Sequence, residues 1–278
     1  MEPSLLFISD LDRTVLTHNH VLPNKVVKAF ARAKAAGMRI LLATARSPVG
    51  VAPFVEALGI TEPCICFNGA WIGDVVRRTA LQSSRLNRAL ANRAMELARD
   101  LNLSALWYTE DAVYSTDRNE VVIRETDITG DRLHIVERFA DIESEPHKIM
   151  CVARTPKEQA HFSTVSESLA GSLLASRSHA RLLELSPIGT GKATAAKYLC
   201  DRFAINLKCL AAAGDAENDL QLLRCAGIPL TVSNAIVELQ NMARFVGASC
   251  DEGGLAEVID WLLLNNAAQK KSTGVCHA

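Results

Sequence analysis

Three times in its first 70 residues the chain runs an apolar segment into a polar cluster, with helix-like stretches between. Leu5-Leu6-Phe7-Ile8-Ser9 ends in Asp10-Leu11-Asp12-Arg13-Thr14, and Met38-Arg39-Ile40-Leu41-Leu42-Ala43 ends in Thr44-Ala45-Arg46-Ser47. Cys64-Ile65-Cys66-Phe67 ends in Asn68-Gly69-Ala70. A strand that is apolar on both faces must be covered on both faces, which is the habit of a parallel sheet flanked by helices. The intervening stretches supply those helices. One starts at Asn24, carries apolar Val26, Val27, Phe30 and Ala33, and is closed by Gly37; another runs from Val51 to Leu58. This βαβ rhythm predicts Cys64–Phe67 as the third strand of one parallel sheet.

Near Ser83 the rhythm breaks. Asn87 to Leu101 reads as an amphipathic helix, followed by a strand centred on Ala105-Leu106-Trp107-Tyr108. Short strands at Ala112–Ser115 and Lys148–Ala153 and a helix at Lys157–Leu169 make this an antiparallel α+β segment. The βα alternation then returns. A helix over Gly191–Phe203 precedes a strand at Leu210–Ala213 that ends in Gly214-Asp215, and Leu220–Cys225 is helical. Ile228–Val232 is a strand, Asn234 caps a helix, Arg244–Ala248 is a strand and Gly254–Leu264 a last helix. The tail from Ala267 to Ala278 is polar and patternless, and is expected to fray. The fold class that follows is α/β: a Rossmann-like parallel-sheet core made of residues 1–82 and 185–278, with an α+β domain, 83–184, inserted into it.

Charge and composition narrow the function classes. A formal net charge of −1, with lysine and arginine scattered, offers no footprint for nucleic acid or an anionic membrane. Aromatic residues are 5% of the chain, too few for a base-stacking surface. The longest apolar runs, such as Trp261-Leu262-Leu263-Leu264, are far too short to cross a bilayer. Met1-Glu2-Pro3-Ser4 puts no basic region ahead of the first apolar stretch, so the expectation is a cytoplasmic protein without a signal peptide. Of the eight cysteines, Cys64, Cys66, Cys209 and Cys225 lie in or beside apolar segments without framework spacing, and read as reduced thiols rather than disulfides or zinc ligands.

In a parallel α/β sheet, ligands sit beyond the carboxyl ends of the strands. The polar clusters at that edge are Asp10/Asp12, Thr44, Asn68 and Asp215/Asn218/Asp219, with Lys192 entering from the helix that follows the insertion. Asp10 and Asp12 are two residues apart, so in an extended segment their carboxylates face the same way. Close carboxylates repel, and a divalent cation relieves that repulsion. Turn or helix capping explains such a pair equally well on its own. Gly214-Asp215-Ala216-Glu217-Asn218-Asp219 packs hard oxygen ligands more densely than a single helix cap requires, and suits magnesium. Thr44 offers a hydroxyl and Lys192 a positive charge to an anion such as phosphate, although either alone is ordinarily structural or solvated; Arg46 and Asn68 are of the same grade. Gly189-Thr190-Gly191-Lys192-Ala193-Thr194 lacks the leading glycine and the spacing of a nucleotide-binding P-loop.

Together these segments resemble the haloacid-dehalogenase-like superfamily of phosphatases, and most closely its Cof-type branch with a type IIB cap. The resemblance covers nearly the whole chain. Its first motif, Asp-x-Asp-x-Thr, falls on Asp10, Asp12 and Thr14; the second on the Thr44 strand end; the third on Lys192; the fourth on Gly214 to Asp219. Phe67-Asn68-Gly69-Ala70, Ala226-Gly227 and Ser233-Asn234-Ala235 also match this branch. The resemblance implies that Asp10 attacks phosphorus and that Asp12 protonates the leaving oxygen and then activates water. It implies a magnesium ion held by the Asp10 side chain, the Asp12 backbone carbonyl and Asp215, with Asp219 supporting the metal shell through water. Thr44, Lys192 and Asn218 would hold the phosphoryl oxygens, residues 83–184 would be a cap, and the substrate would be a small phosphorylated metabolite such as a sugar phosphate. A phosphomutase of the same fold and a catalytically silent small-molecule-binding module are the alternatives. One departure stands out: the family usually has glycine before the motif threonine, and here it is Arg13. A position that needs an unusual backbone conformation would be strained by arginine.

Overall fold

The computed structural model describes residues 5–273. By its internal contacts the chain divides into two units: one holds the chain up to Leu42, Glu56–Glu62 and the chain from Ala196, the other Ala43–Val55 and Pro63–Ala195.

The first unit is built on a five-stranded sheet in the order Val246–Gly247, Ile228–Val232, Leu210–Gly214, Leu6–Ser9, Arg39–Leu42. Every neighbouring pair is parallel. Of the three inner strands, Leu6–Ser9 and Leu210–Gly214 are buried at every residue, as their two-faced apolar sequence requires. The helix Asn24–Ala35 buries Val26, Ala29, Phe30 and Ala33, and Gly37 leaves it in the left-handed region at φ 79°. It packs beside the helix Leu255–Thr273, where Arg32 and Asp260 form an exposed ion pair at 2.6 Å. That last helix continues to Thr273, so most of the tail expected to fray is helical, and residues 274–278 lie outside the described residues. Asn234 does not cap a helix. Ile236 precedes the helix Val237–Met242, while Asn234 donates to the Arg13 carbonyl at 2.9 Å and accepts from the Cys250 amide at 2.8 Å.

The second unit carries two sheets. Cys64–Cys66 is not the third strand of the parallel sheet. It pairs antiparallel with Trp71–Asp74, which pairs with Thr79–Ser83; a single parallel bridge from Ala43 to Ile65 is what remains of the expected pairing. The cause is local: Phe67, Asn68 and Gly69 all have positive φ (49°, 51° and 102°), which turns the chain back on itself. A six-stranded sheet follows in the order Leu173–His179, Leu182–Pro187, Lys148–Val152, Ser104–Tyr108, Val113–Ser115, Leu133–Ile135. It is antiparallel except for its last pair. Its apolar face packs Trp107, Ile149, Leu183 and Leu185 against Ala94 and Met95 of the helix Arg88–Asp100, whose first turn is capped by the Asn87 side chain. The helix expected over Lys157–Leu169 is two, Pro156–Gln159 and His161–Ser168. In the second of them the Ser163 hydroxyl donates to the carbonyl of Ala160, the residue between the two, at 3.0 Å, a side-chain bond that competes with the backbone ladder.

All seven described cysteines are free; Cys64, Cys66, Cys151, Cys200 and Cys250 are buried, whereas Cys209 and Cys225 are half-buried. Among the described residues no helix is long and apolar enough to cross a membrane.

The second unit also buries a histidine in its neutral form. His147 stacks on Phe67 with ring centroids 5.3 Å apart and its Nε2 lies 2.9 Å from the Ser83 hydroxyl. Burial, and then the charge of Arg85, push its pKa from 6.5 down to about 4. The unfolded chain therefore binds this proton first as the pH falls, and stability is lost between about pH 6.5 and pH 4, by up to about 3 kcal/mol. Urea unfolding at pH 7 and pH 5 should show a smaller drop for His147→Gln than for the native chain. Equal drops would contradict a buried neutral imidazole.

Candidate active site

The first unit brings three carboxylates together in a buried place. Asp10 and Asp215 directly follow two adjacent inner strands, Leu6–Ser9 and Leu210–Gly214, and parallel pairing in register, Ser9 opposite Ala213, puts them at the same sheet edge. The Asp10 amide donates to the Ala213 carbonyl at 2.9 Å, extending the ladder by one residue. Carboxylate oxygens of Asp10, Asp215 and Asp219 lie within 4.8 Å of one another, and the three residues are 6%, 4% and 0% exposed. If all are ionised, each pair repels by about 3–4 kcal/mol at an effective dielectric of ~20. An all-oxygen, acidic, buried donor set fits a hard divalent cation such as magnesium.

The carboxylates of Asp215 and Asp219 are held from behind. Asp219 Oδ2 accepts from the backbone amides of Asp215 at 3.1 Å and Ala216 at 3.2 Å. Gly214 makes that approach possible, because a Cβ there would lie 2.3 Å from Asp219 Cγ. Thr14 donates its hydroxyl to Asp215 Oδ1 at 3.2 Å, and the buried Thr231 hydroxyl fixes the Gly214 carbonyl at 2.6 Å.

Arg13 is the unexpected member. Its φ is 62°, the left-handed conformation that glycine adopts without strain, and its Nε lies 3.8 Å from Asp215 Oδ2. That Nε is buried with no hydrogen-bond partner, so the guanidinium serves the acidic group as a counter-charge rather than as a well-made donor. Asp12 is not in the clustered set. After Leu11 the chain turns, with the Val15 and Leu16 amides both on the Leu11 carbonyl, and the Asp12 carboxylate pairs with His20 Nδ1 at 2.9 Å. Its side chain is 32% exposed, open to an incoming molecule. Asn218 is half-buried in the short turn Glu217–Asp219.

The remaining sequence-derived residues belong to the second unit. Thr44 is buried; its amide donates to Ile65 at 2.8 Å, its carbonyl accepts from the Asn68 amide at 2.9 Å, and its hydroxyl accepts from the Arg46 amide at 3.1 Å. Lys192 is 2% exposed and opens the helix Lys192–Arg202. A Cβ on Gly69 would lie 2.6 Å from the Gly191 carbonyl oxygen, so the absence of side chains lets the Asn68 turn approach the backbone before Lys192. Arg46 donates to the Ile128 carbonyl at 3.3 Å.

Asn68 is oriented by two charged residues that carry no motif of their own. Its Nδ2 donates to Glu184 Oε2 at 3.0 Å, and Glu184 forms a buried ion pair with Lys148 at 3.4 Å. Lys148 also donates to the Ala45 carbonyl at 2.8 Å and sits over the Tyr108 ring, 4.5 Å from its centroid. The available signal was a lone charge inside each of two apolar strands, Lys148-Ile149-Met150 and Leu183-Glu184-Leu185.

A family model described as haloacid dehalogenase-like hydrolase matches residues 7–259. The chain is 27% identical to the 5-amino-6-(5-phospho-D-ribitylamino)uracil phosphatase YwtE of Bacillus subtilis, over 91% of this chain and 96% of that one. It is 24% identical to the pyridoxal phosphate phosphatase YbhA of Escherichia coli, over 90% and 95% of the two chains. Among solved structures, a haloacid dehalogenase-like hydrolase from Bacteroides thetaiotaomicron superposes with a TM-score of 0.85 at 24% identity, covering 93% of this chain and 99% of that one.

Arg13 and a bound cation would neutralise the same carboxylate. Arg13→Gly is expected to relieve about 1–2 kcal/mol of left-handed strain and to tighten divalent-cation binding severalfold. Calorimetric titration of magnesium into both proteins measures this; an unchanged or weaker affinity in the variant would show that Arg13 does not compete.

Proposed function

The chain belongs to the haloacid dehalogenase-like hydrolases, and from that premise we propose that it is a magnesium-dependent phosphatase that hydrolyses small phosphate esters, sugar phosphates among them, through a phosphorylated Asp10. The observation that carries this reading is the buried convergence of Asp10, Asp215 and Asp219 at the carboxyl ends of two adjacent parallel strands. Relatives named as phosphatases of phosphorylated metabolites support it.

In this mechanism an Asp10 carboxylate oxygen attacks phosphorus, the bond from phosphorus to the ester oxygen breaks, and Asp12 gives the leaving alcohol its proton. Asp12 then takes a proton from water, which attacks the phosphorus of the aspartyl-phosphate and releases phosphate while restoring Asp10. The Asp12 side chain, half-exposed and paired with His20 Nδ1 at 2.9 Å, is the group assigned this proton transfer. Asp10, the Asp12 carbonyl and Asp215 would hold the magnesium ion, with Asp219 supporting them, and the ion would supply charge neutralisation to the transferring group. Thr44, Lys192 and Asn218 position the phosphoryl oxygens, which is most of what phosphoryl transfer asks of a protein. Residues 83–184 act as the cap that selects the ester, and 1–82 with 185–278 as the catalytic core, working in the cytoplasm.

Phosphate release from a generic aryl phosphate, followed with and without magnesium, tests the reading. Asp10→Asn should lower the magnesium-dependent rate by more than about 10³-fold while leaving the melting temperature within a few degrees. Equal release by both proteins would overturn the assignment of Asp10 as nucleophile.

A further inference from the structure

The first unit holds a second group of metal-ligating side chains that phosphoryl transfer does not use. His18 Nδ1, Cys250 Sγ and a carboxylate oxygen of Asp251 all lie within 4.8 Å of one another. We propose that His18, Cys250 and Asp251 form a three-ligand site for a borderline-soft divalent transition ion, zinc being the type case, chemically distinct from the all-carboxylate site on Asp10.

The distances suit that ion. Sγ to Nδ1 is 3.3 Å, Nδ1 to Oδ2 is 2.9 Å and Sγ to Oδ1 is 4.0 Å. Donor atoms around a tetrahedral zinc, at its usual bond lengths, stand about 3.3–3.6 Å apart. The His18 and Asp251 side chains, 40% and 53% exposed, are free to adjust toward that geometry around an ion. Nδ1 faces both the sulfur and the carboxylate, so a single ion placed among them would engage all three donors.

The backbone around the group is built rather than loose. The His18 amide donates to Asp251 Oδ1 at 2.9 Å, and the Ser249 hydroxyl accepts from the Asp251 amide at 3.3 Å. The Cys250 amide is held by Asn234, whose own amide group holds the Arg13 carbonyl, so both chain segments are tied to one side chain. Cys250 is fully buried and presents its sulfur from the inside, while His18 and Asp251 stand at the rim. The outer side is left to water or another ligand as the fourth donor, and the thiolate selects such an ion over magnesium. Binding releases the thiol proton to solvent.

Cobalt(II) is the spectroscopic probe, titrated into the whole protein in excess magnesium so that the carboxylate site is filled. One equivalent should produce the thiolate-to-cobalt charge-transfer band together with the strong visible bands of tetrahedral cobalt. Cys250→Ser should abolish the charge-transfer band. His18→Gln, at the exposed rim where folding is not at stake, should weaken cobalt binding by at least about tenfold. Asp10→Asn should leave the spectrum unchanged. No charge-transfer band at one equivalent, a band that survives Cys250→Ser, or equal affinity in His18→Gln would each overturn the site.

Discussion

Three carboxylates buried within 4.8 Å of one another, with Arg13 3.8 Å from one of them, are the constraint around which the first unit is organised. Such a group does not persist in a dry place unless its charges are oriented and offset. The local sequence supplies both. Parallel pairing of Leu6–Ser9 with Leu210–Gly214 delivers Asp10 and Asp215 to one edge. Gly214 lets Asp219 fold back on the amides of Asp215 and Ala216, and Thr14 and Thr231 brace the same turn. A stable fold built for stability alone would put apolar residues there. Keeping the acids means that the strands, the small residues and the turn serve a charge that some other ion or group must balance.

The second unit meets the same problem by pairing within itself. Lys148 and Glu184 are both almost completely buried, and their pair is completed by the Ala45 carbonyl and by Asn68. That network fixes Asn68 in a left-handed turn, and the Asn68 amide in turn holds the Thr44 carbonyl. The Thr44 backbone and the Asn68 side chain are thus set by buried bonds, and preorganisation of this kind is what positioning catalysis requires.

Much of this was legible in the sequence because it depends on short-range patterns. The buried strands at Leu6–Ser9, Arg39–Leu42 and Leu210–Gly214 announce themselves as apolar runs, and the acids follow them directly. Cys64–Cys66 was misread because its apolar run is the same whichever partner it takes; only the positive φ of three successive residues, invisible in composition, decides the antiparallel partner. Asp12 was expected beside Asp10 on the assumption that the chain stays extended, yet it turns after Leu11 and sends Asp12 to His20. Asn234 looked like a cap because asparagine favours caps, whereas its bonds are to Arg13 and Cys250, far away in sequence. Arg13 was recognisable as out of place for a family that uses glycine there, but its ion pair with Asp215 spans some 200 positions and no local signal carries it.

The central claim is that Asp10 itself becomes phosphorylated. Acid quenching during turnover of a phosphate ester, followed by borohydride reduction, converts an aspartyl-phosphate to homoserine, and peptide mass mapping then locates it. The account predicts homoserine at position 10 and nowhere else, with none formed when magnesium is withheld. An unmodified Asp10 in a protein that is turning over, or homoserine at another aspartate, would contradict it.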